Sequence, residues 1–209
     1  GGLPRILMEL KDKLHLDTHT ITGKTLGEII DETNFSWKQK IVKSAGSPVY
    51  REGGIAVLKG NLAPNTAIIK QSAASDSLLT HTGRAVVFDG LEDLANRIDS
   101  EDLDVNEDDI LVLRYIGPKG APGMPEAGLI PIPKKLAKRG VKDMVRISDG
   151  RMSGTASGTI ILHVCPEAAD GGPLALVKNG DIISLDVAAR NLHLHVDEQE
   201  LEKRNKSLD

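Results

Sequence analysis

The sequence predicts a mainly β domain with flanking helices, closed or nearly closed into a barrel. Three observations carry this. About eight short β-rich runs follow one another, punctuated by Gly, Pro or Asn, and few helical stretches intervene. Hydrophobic residues make up 40% of the chain but aromatics only 2%, so the core must be built from Val, Ile, Leu and Ala. Glycine (21) and proline (10) are frequent without repeating, which suits many turns rather than disorder. The 209 residues suffice for one large domain, or one domain with a helical arm.

The elements are expected in this order. Residues 1–16 read as a helix, with Pro4 in the first turn and Ile6, Leu7, Leu10 and Leu14 on one stripe. A second helix begins near Thr25, and 34–47 is a connector. Residues 1–50 are thus a helical arm and connector, and 51–209 the barrel. Runs at 55–58, 67–69 and 84–88 read as strands. A helix follows, with Asp89 as cap, Glu92 completing a capping box, and Leu91, Leu94, Ala95 and Ile98 buried. Residues 110–115 are a strand and 117–133 a long Gly/Pro loop. Residues 134–139 form a short helix stopped by Gly140. Strands at 145–148 and 159–163 bracket a Ser/Gly loop. Runs at 174–177 and 182–186 flank Asn179-Gly180, a strong hairpin signal. A last strand covers 192–196, and Asp197 with Glu200 boxes the start of a terminal helix.

The formal net charge is −4 and no basic face is evident, which argues against nucleic-acid binding. No apolar run approaches the roughly 20 residues of a membrane span. No signal-peptide pattern opens the chain. Cys165 is the one cysteine, so an internal disulfide or an all-cysteine metal site within one chain is excluded. A reducing compartment, the cytoplasm or an organelle matrix, fits best.

Two stretches stand out. Gly117-Pro-Lys-Gly-Ala-Pro-Gly-Met-Pro-Glu126 places a glycine at every third position, with far too few triplets for a triple helix. It is either a rigid loop that approaches a ligand closely or a solvent-exposed connection. Glu126 at its end is a solvated glutamate or a hard-cation ligand. Asp149-Gly-Arg-Met-Ser153-Gly-Thr-Ala-Ser-Gly158 follows a predicted strand. It exposes backbone N–H groups and a hydroxyl together, as an oxyanion or carboxylate site needs, unless it is a plain turn. No G-x-S-x-G elbow surrounds Ser153, so a hydrolase triad is not indicated.

Weaker signals have simpler explanations. Thr22-Gly-Lys-Thr25 has the last residues of a P-loop, but Thr18 stands where its first glycine would fall, so a turn before a helix is expected. His15 and His19 have a zinc-compatible spacing without a third ligand. His193 and His195 share one face of the last strand, read as solvated. Cys165 reads as a small, semi-buried side chain.

Taken together, the motifs resemble one family. Gly117-Pro-Lys-Gly-x-Pro-Gly-Met-x-Glu126, Asp149-Gly-Arg-x-Ser-Gly and His163-Val-x-Pro-Glu-Ala-Ala-x-Gly-Gly-Pro173 carry the resemblance. Gly53-Gly-Ile-Ala-Val-Leu-Lys-Gly-Asn-Leu-Ala-Pro64 and Asn179-Gly-Asp-Ile-Ile add to it, in matching order from residue 1 to about 205. The chain is similar to the carboxy-terminal part of the dihydroxy-acid/6-phosphogluconate dehydratases. Its fold is then expected to be a swivelling β/β/α domain, barrel-like. The resemblance implies a hydro-lyase that converts a 2,3-dihydroxy acid into a 2-keto-3-deoxy acid. It implies a separate amino-terminal domain, absent here, that holds an iron–sulfur cluster of the 2Fe-2S type. None of the cluster ligands lies in this chain, and the fragment alone should be inactive.

The resemblance further assigns Glu126 to a magnesium site, Ser153 as the base at C2, and Thr155 to substrate binding. It implies a homo-oligomer for the full-length protein. Arg151-Met-Ser-Gly-Thr-Ala-Ser-Gly-Thr159 looks more like the sugar-acid (aldonate) branch. A branched-chain dihydroxy-acid dehydratase, or a non-catalytic binding barrel, are the alternatives.

Overall fold

A computed structural model describes residues 2–34 and 38–207. The chain forms two compact units, Gly1–Arg51 and Glu52–Asp209. In the first unit, helix α1 spans Gly2–Glu9 and gives way to a 3-10 turn at Lys11–Lys13. The helix expected over 1–16 is therefore shorter. Helix α2 spans Leu26–Glu32. Thr25 caps it, with its side chain accepting from the Glu28 amide while the Glu28 carboxylate accepts from the Thr25 amide. Gly23 (φ +81°) makes the preceding turn, so the Thr22–Thr25 tetrapeptide is a turn before a helix.

The second unit is a closed barrel of eight strands. They are β1 Ala56–Gly60, β2 Ala63–Ile69, β3 Thr80–Asp89, β4 Ile110–Arg114, β5 Arg146–Ser148, β6 Ile160–Leu162, β7 Ile182–Asp186 and β8 Asn191–Leu194. The order around the barrel is β1-β2-β6-β5-β4-β3-β7-β8. The β3–β4, β4–β5 and β5–β6 pairs are parallel, and the rest except β1–β8 are antiparallel.

Parity explains why 85–88 and 110–113 are unbroken apolar runs. Ala85, Val87, Ile110 and Val112 join the barrel interior, while Val86, Phe88, Leu111 and Leu113 join a second core outside it. Parallel strands covered on both faces need apolar residues at every position. Helix α3, Gly90–Arg97, covers this outer face through Leu94 and, just past its end, Ile98. Leu91 and Ala95, expected to be buried, are exposed. The expected capping box is absent: Asp93, not Glu92, accepts from the Asp89 amide, and the Asp89 carboxylate pairs with Arg114. Helix α4, Lys134–Lys138, ends at Gly140 (φ +95°), as expected.

Two further expectations fail together. Residues Pro173–Leu176 are a 3-10 turn, not a strand. Pro173 at its start favours a helical turn. The Asn179-Gly180 turn therefore closes no hairpin. It docks on β3 instead, where Asn179 Oδ1 accepts from the Val87 amide at 2.6 Å. The true hairpin joins β7 and β8 through a turn at 187–190, with Arg190 at φ +58°. Helix α5, Glu198–Asn205, is capped by Asp197, which accepts from the Glu200 amide; the Glu200 carboxylate turns to Arg204 rather than completing a box.

Candidate functional site

Parallel neighbours need a crossover, usually a helix. Between β5 and β6 that crossover is the irregular segment 149–159, and Ser153 lies in its middle. Its first residue is anchored firmly. The buried Asp149 carboxylate accepts from the amides of Tyr115 and Ile116 (both 3.1 Å) and Ala168 (3.0 Å). It ties the ends of β4 and β5 to the turn at Ala168–Asp170.

The far end is equally fixed. The Asp143 carboxylate takes the Thr159 amide and hydroxyl, the Ser75 hydroxyl at 2.7 Å and the Arg146 guanidinium at 2.6 Å. Burial opposes charge on Asp143, but the Ser75 and Thr159 hydrogen bonds and Arg146 outweigh it and hold the carboxyl below its usual range. Gly158 (φ +125°) passes so close to Arg146 that a Cβ would lie 2.0 Å from Nη2.

Between these anchors, the half-buried Ser153 hydroxyl contacts the Thr155 hydroxyl at 3.0 Å and the Thr155 amide at 3.4 Å. The Ala156 amide donates to Ser153 O at 3.1 Å, closing a tight turn. Among the described residues no histidine or carboxylate touches Ser153 Oγ, so nothing here is a hydrolase triad.

Arg151 connects this turn to the loop that ends at Glu126. Its Nη1 pairs with Glu126 Oε1 at 2.6 Å, its Nε donates to Met124 O at 2.7 Å, and its own carbonyl accepts from the Gly128 amide at 2.7 Å. A Cβ at Gly128 would sit 2.8 Å from Arg151 O and 2.5 Å from Leu162, so only glycine permits this approach.

Two cavities flank His163. One, of about 310 Å³, is lined by Lys70, Ser72, Ser153 and His163 on a polar side, and by Ile68 and Leu162 among apolar residues. The other, of about 320 Å³, is lined by Met124, Asp149, His163, Cys165 and Glu167 among others. His163 (φ +52°) and Met124 (φ +45°) both hold left-handed backbone, a strain that gathers at functional sites. Burial, and secondarily Arg151, push the His163 imidazole below its ordinary range, which keeps it neutral at pH 7.

The expected site residues are thus partly gathered. Ser153 and Thr155 touch, and Glu126 is linked to them through Arg151. Lys70 and His163 also line the site. No short motif marks Lys70, which meets the Ser153 turn across 84 residues of sequence. Among the described residues no three His, Cys, Asp or Glu side chains gather as a metal site. Glu126 is exposed and, among the described residues, paired only with Arg151, so it fits as one hard-oxygen donor, not as a whole site. Cys165 is exposed rather than semi-buried, and one cysteine does not fit an iron–sulfur cluster. His15 and His19 are exposed. His193 and His195 meet edge to face on β8 and beyond, with His195 on the Ser184 hydroxyl. No helix among the described residues is long and apolar enough to cross a membrane.

The chain is thus a closed β-barrel with a cavity beside its β5–β6 crossover. The family profile described as dihydroxy-acid/6-phosphogluconate dehydratase C-terminal matches residues 40–209. The chain belongs to that family. It is 50% identical over 98% of its length to an L-arabinonate dehydratase of Rhizobium leguminosarum, covering 35% of that protein. It is 47% identical to a 6-deoxy-6-sulfo-D-gluconate dehydratase of Pseudomonas putida, over 98% of the chain and 36% of the relative. A dihydroxy-acid dehydratase of Methanococcoides burtonii is 46% identical, over 98% and 37%. The chain thus spans just over a third of these relatives' length.

Proposed function

We propose that this chain is the carboxy-terminal domain of a hydro-lyase that converts a sugar acid into its 2-keto-3-deoxy product, with Ser153 as the base at C2. The observation that carries the reading is the placement of Ser153. It stands mid-crossover, its hydroxyl free of any protein base, in a cavity shared with Lys70 and His163. The aldonate reading is favoured because the 50% and 47% identical relatives bear names of sugar-acid dehydratases.

In this reading the Ser153 alkoxide takes the proton from C2, the C3 hydroxyl departs and becomes water with that proton returned from Ser153, and the resulting enol ketonises. Thr155, within hydrogen-bond distance of Ser153, orients its hydroxyl and meets the substrate. His163, held neutral, does not add a competing charge to the cavity. Glu126 would give one carboxylate oxygen to magnesium, whose charge, when bound, favours serine ionisation and steadies the anion that develops at the substrate carboxylate. An iron–sulfur cluster would have its ligands in an amino-terminal domain, and this chain's residues contribute no step to it. A reducing compartment, cytoplasmic or organellar, suits that assembly.

The test is a substrate panel on the complete, cofactor-loaded enzyme. Pentonates and hexonates should yield 2-keto-3-deoxy acids, detected as keto acids, with kcat/KM at least ~10-fold above 2,3-dihydroxyisovalerate. Preference for the branched acid would move the assignment to the other branch, and no turnover of either would sink it. The chain by itself should bind magnesium only weakly, since one carboxylate is a poor cage. Calorimetry showing micromolar affinity would contradict the assignment of Glu126 as a partial ligand.

A further inference from the structure

The cavity beside Ser153 holds a cation whose role the proposed chemistry leaves open. Lys70 directly follows β2. Its Nζ donates to Gly154 O at 2.5 Å and to Ala156 O at 3.4 Å, the carbonyls on either side of Thr155. Among the described residues Lys70 meets no carboxylate, whereas Arg84, Arg114, Arg146 and Arg204 each pair with an aspartate.

The turn it grips has little else to hold it. A Cβ at Gly154 would meet nothing within 4 Å, so the turn is open on that side. Gly154 and Thr155 are exposed. The turn's own bonds are the Ala156 amide to Ser153 O, the Ser153–Thr155 hydroxyl pair and the weak Thr155 amide to Ser153 Oγ. A charged donor on its carbonyls is the strongest single restraint visible.

We propose that Lys70 is the positioning residue for Ser153: its ammonium clamps the 154 and 156 carbonyls and so fixes where the Ser153 oxygen meets the substrate. The inference rests on Ser153 acting as the base. A displacement of about 1 Å at a reacting atom costs roughly 100-fold in rate, so a loosened turn should show in kcat before it shows in binding.

The experiment compares Lys70→Met and Lys70→Arg in the complete, cofactor-loaded enzyme. Lys70→Met should lower kcat ~10–100-fold with KM within ~3-fold, and Lys70→Arg should restore most of kcat. In the same Met variant the Thr155 and Ala156 amides should exchange hydrogen ~10-fold faster, with protection of β2 and β6 unchanged. A rise in KM with kcat intact would make Lys70 an anion-binding group and overturn the proposal. Unchanged exchange at those amides would overturn it as well. Full activity of Ser153→Ala would instead defeat the base assignment, while the exchange result still reports on the clamp.

Discussion

Ser153→Ala is expected to reduce turnover by ~10²–10⁴-fold, the range over which a positioned base contributes, while KM and stability barely move. The loss of turnover rests on the proposed role of Ser153, and the structure supports the unchanged stability. Among the described residues the lost hydroxyl bonds only to Thr155, on an exposed turn, so little native structure depends on it. Asp149 at one end and Asp143 at the other anchor the crossover without its help. Thermal unfolding should therefore be unchanged within error. Normal turnover by this variant would remove Ser153 from the mechanism and favour a barrel that binds without catalysing.

Arg146→Met should destabilise the barrel by ~3–5 kcal/mol, because it breaks a buried ion pair from one side. Arg146 is 4% exposed. Its guanidinium donates to Met144 O, Leu129 O and Ile130 O besides Asp143. Methionine fills some of the volume but leaves those carbonyls without their donor and the Asp143 charge without its cation, held by neutral donors such as those of Ser75 and Thr159. The pair also has a pH signature. The Asp143 carboxyl is held below its ordinary value. A depressed carboxyl stabilises the fold fully above its unfolded pKa, near 3.9, and that stabilisation is lost as pH falls through the lower folded value. The gap in denaturant midpoint between wild type and variant should thus narrow only at strongly acid pH, and not close, because the bonds from Arg146 to the three carbonyls do not titrate. A difference under ~1 kcal/mol at pH 7 would show that the network is not needed. In a cycle with Asp143→Asn, the double change should cost less than the sum of the single ones.

Much of the barrel was legible because its strands state their environment in their own residues. The runs at 85–88 and 110–113 are apolar at every position, and the structure buries both faces. The run at 174–177 was misread because Leu174 and Ala175 are buried by packing, which looks the same in sequence whether the backbone is extended or turned. Asn179-Gly180 kept its turn chemistry but not its partner, since the amide that meets Asn179 belongs to Val87. Of the site, the two loops were visible as Gly/Ser-rich interruptions, and Ser153 and Glu126 within them as candidates. Arg151 was in view without its task. Lys70 carried no signal, because a lysine at a strand end is ordinary until one sees what its ammonium reaches.

The fold class, the family and the two loops that carry the candidate chemistry are readable in the residues alone, because periodicity, turn residues and motif order are written along the chain. That Arg151 joins Glu126 to the Ser153 turn, and that Lys70 grips the turn, emerges only once the chain is folded. Those contacts span 25 and 84 residues. They arise when closure of the barrel places β2, β6 and β5 side by side in an order the chain does not follow.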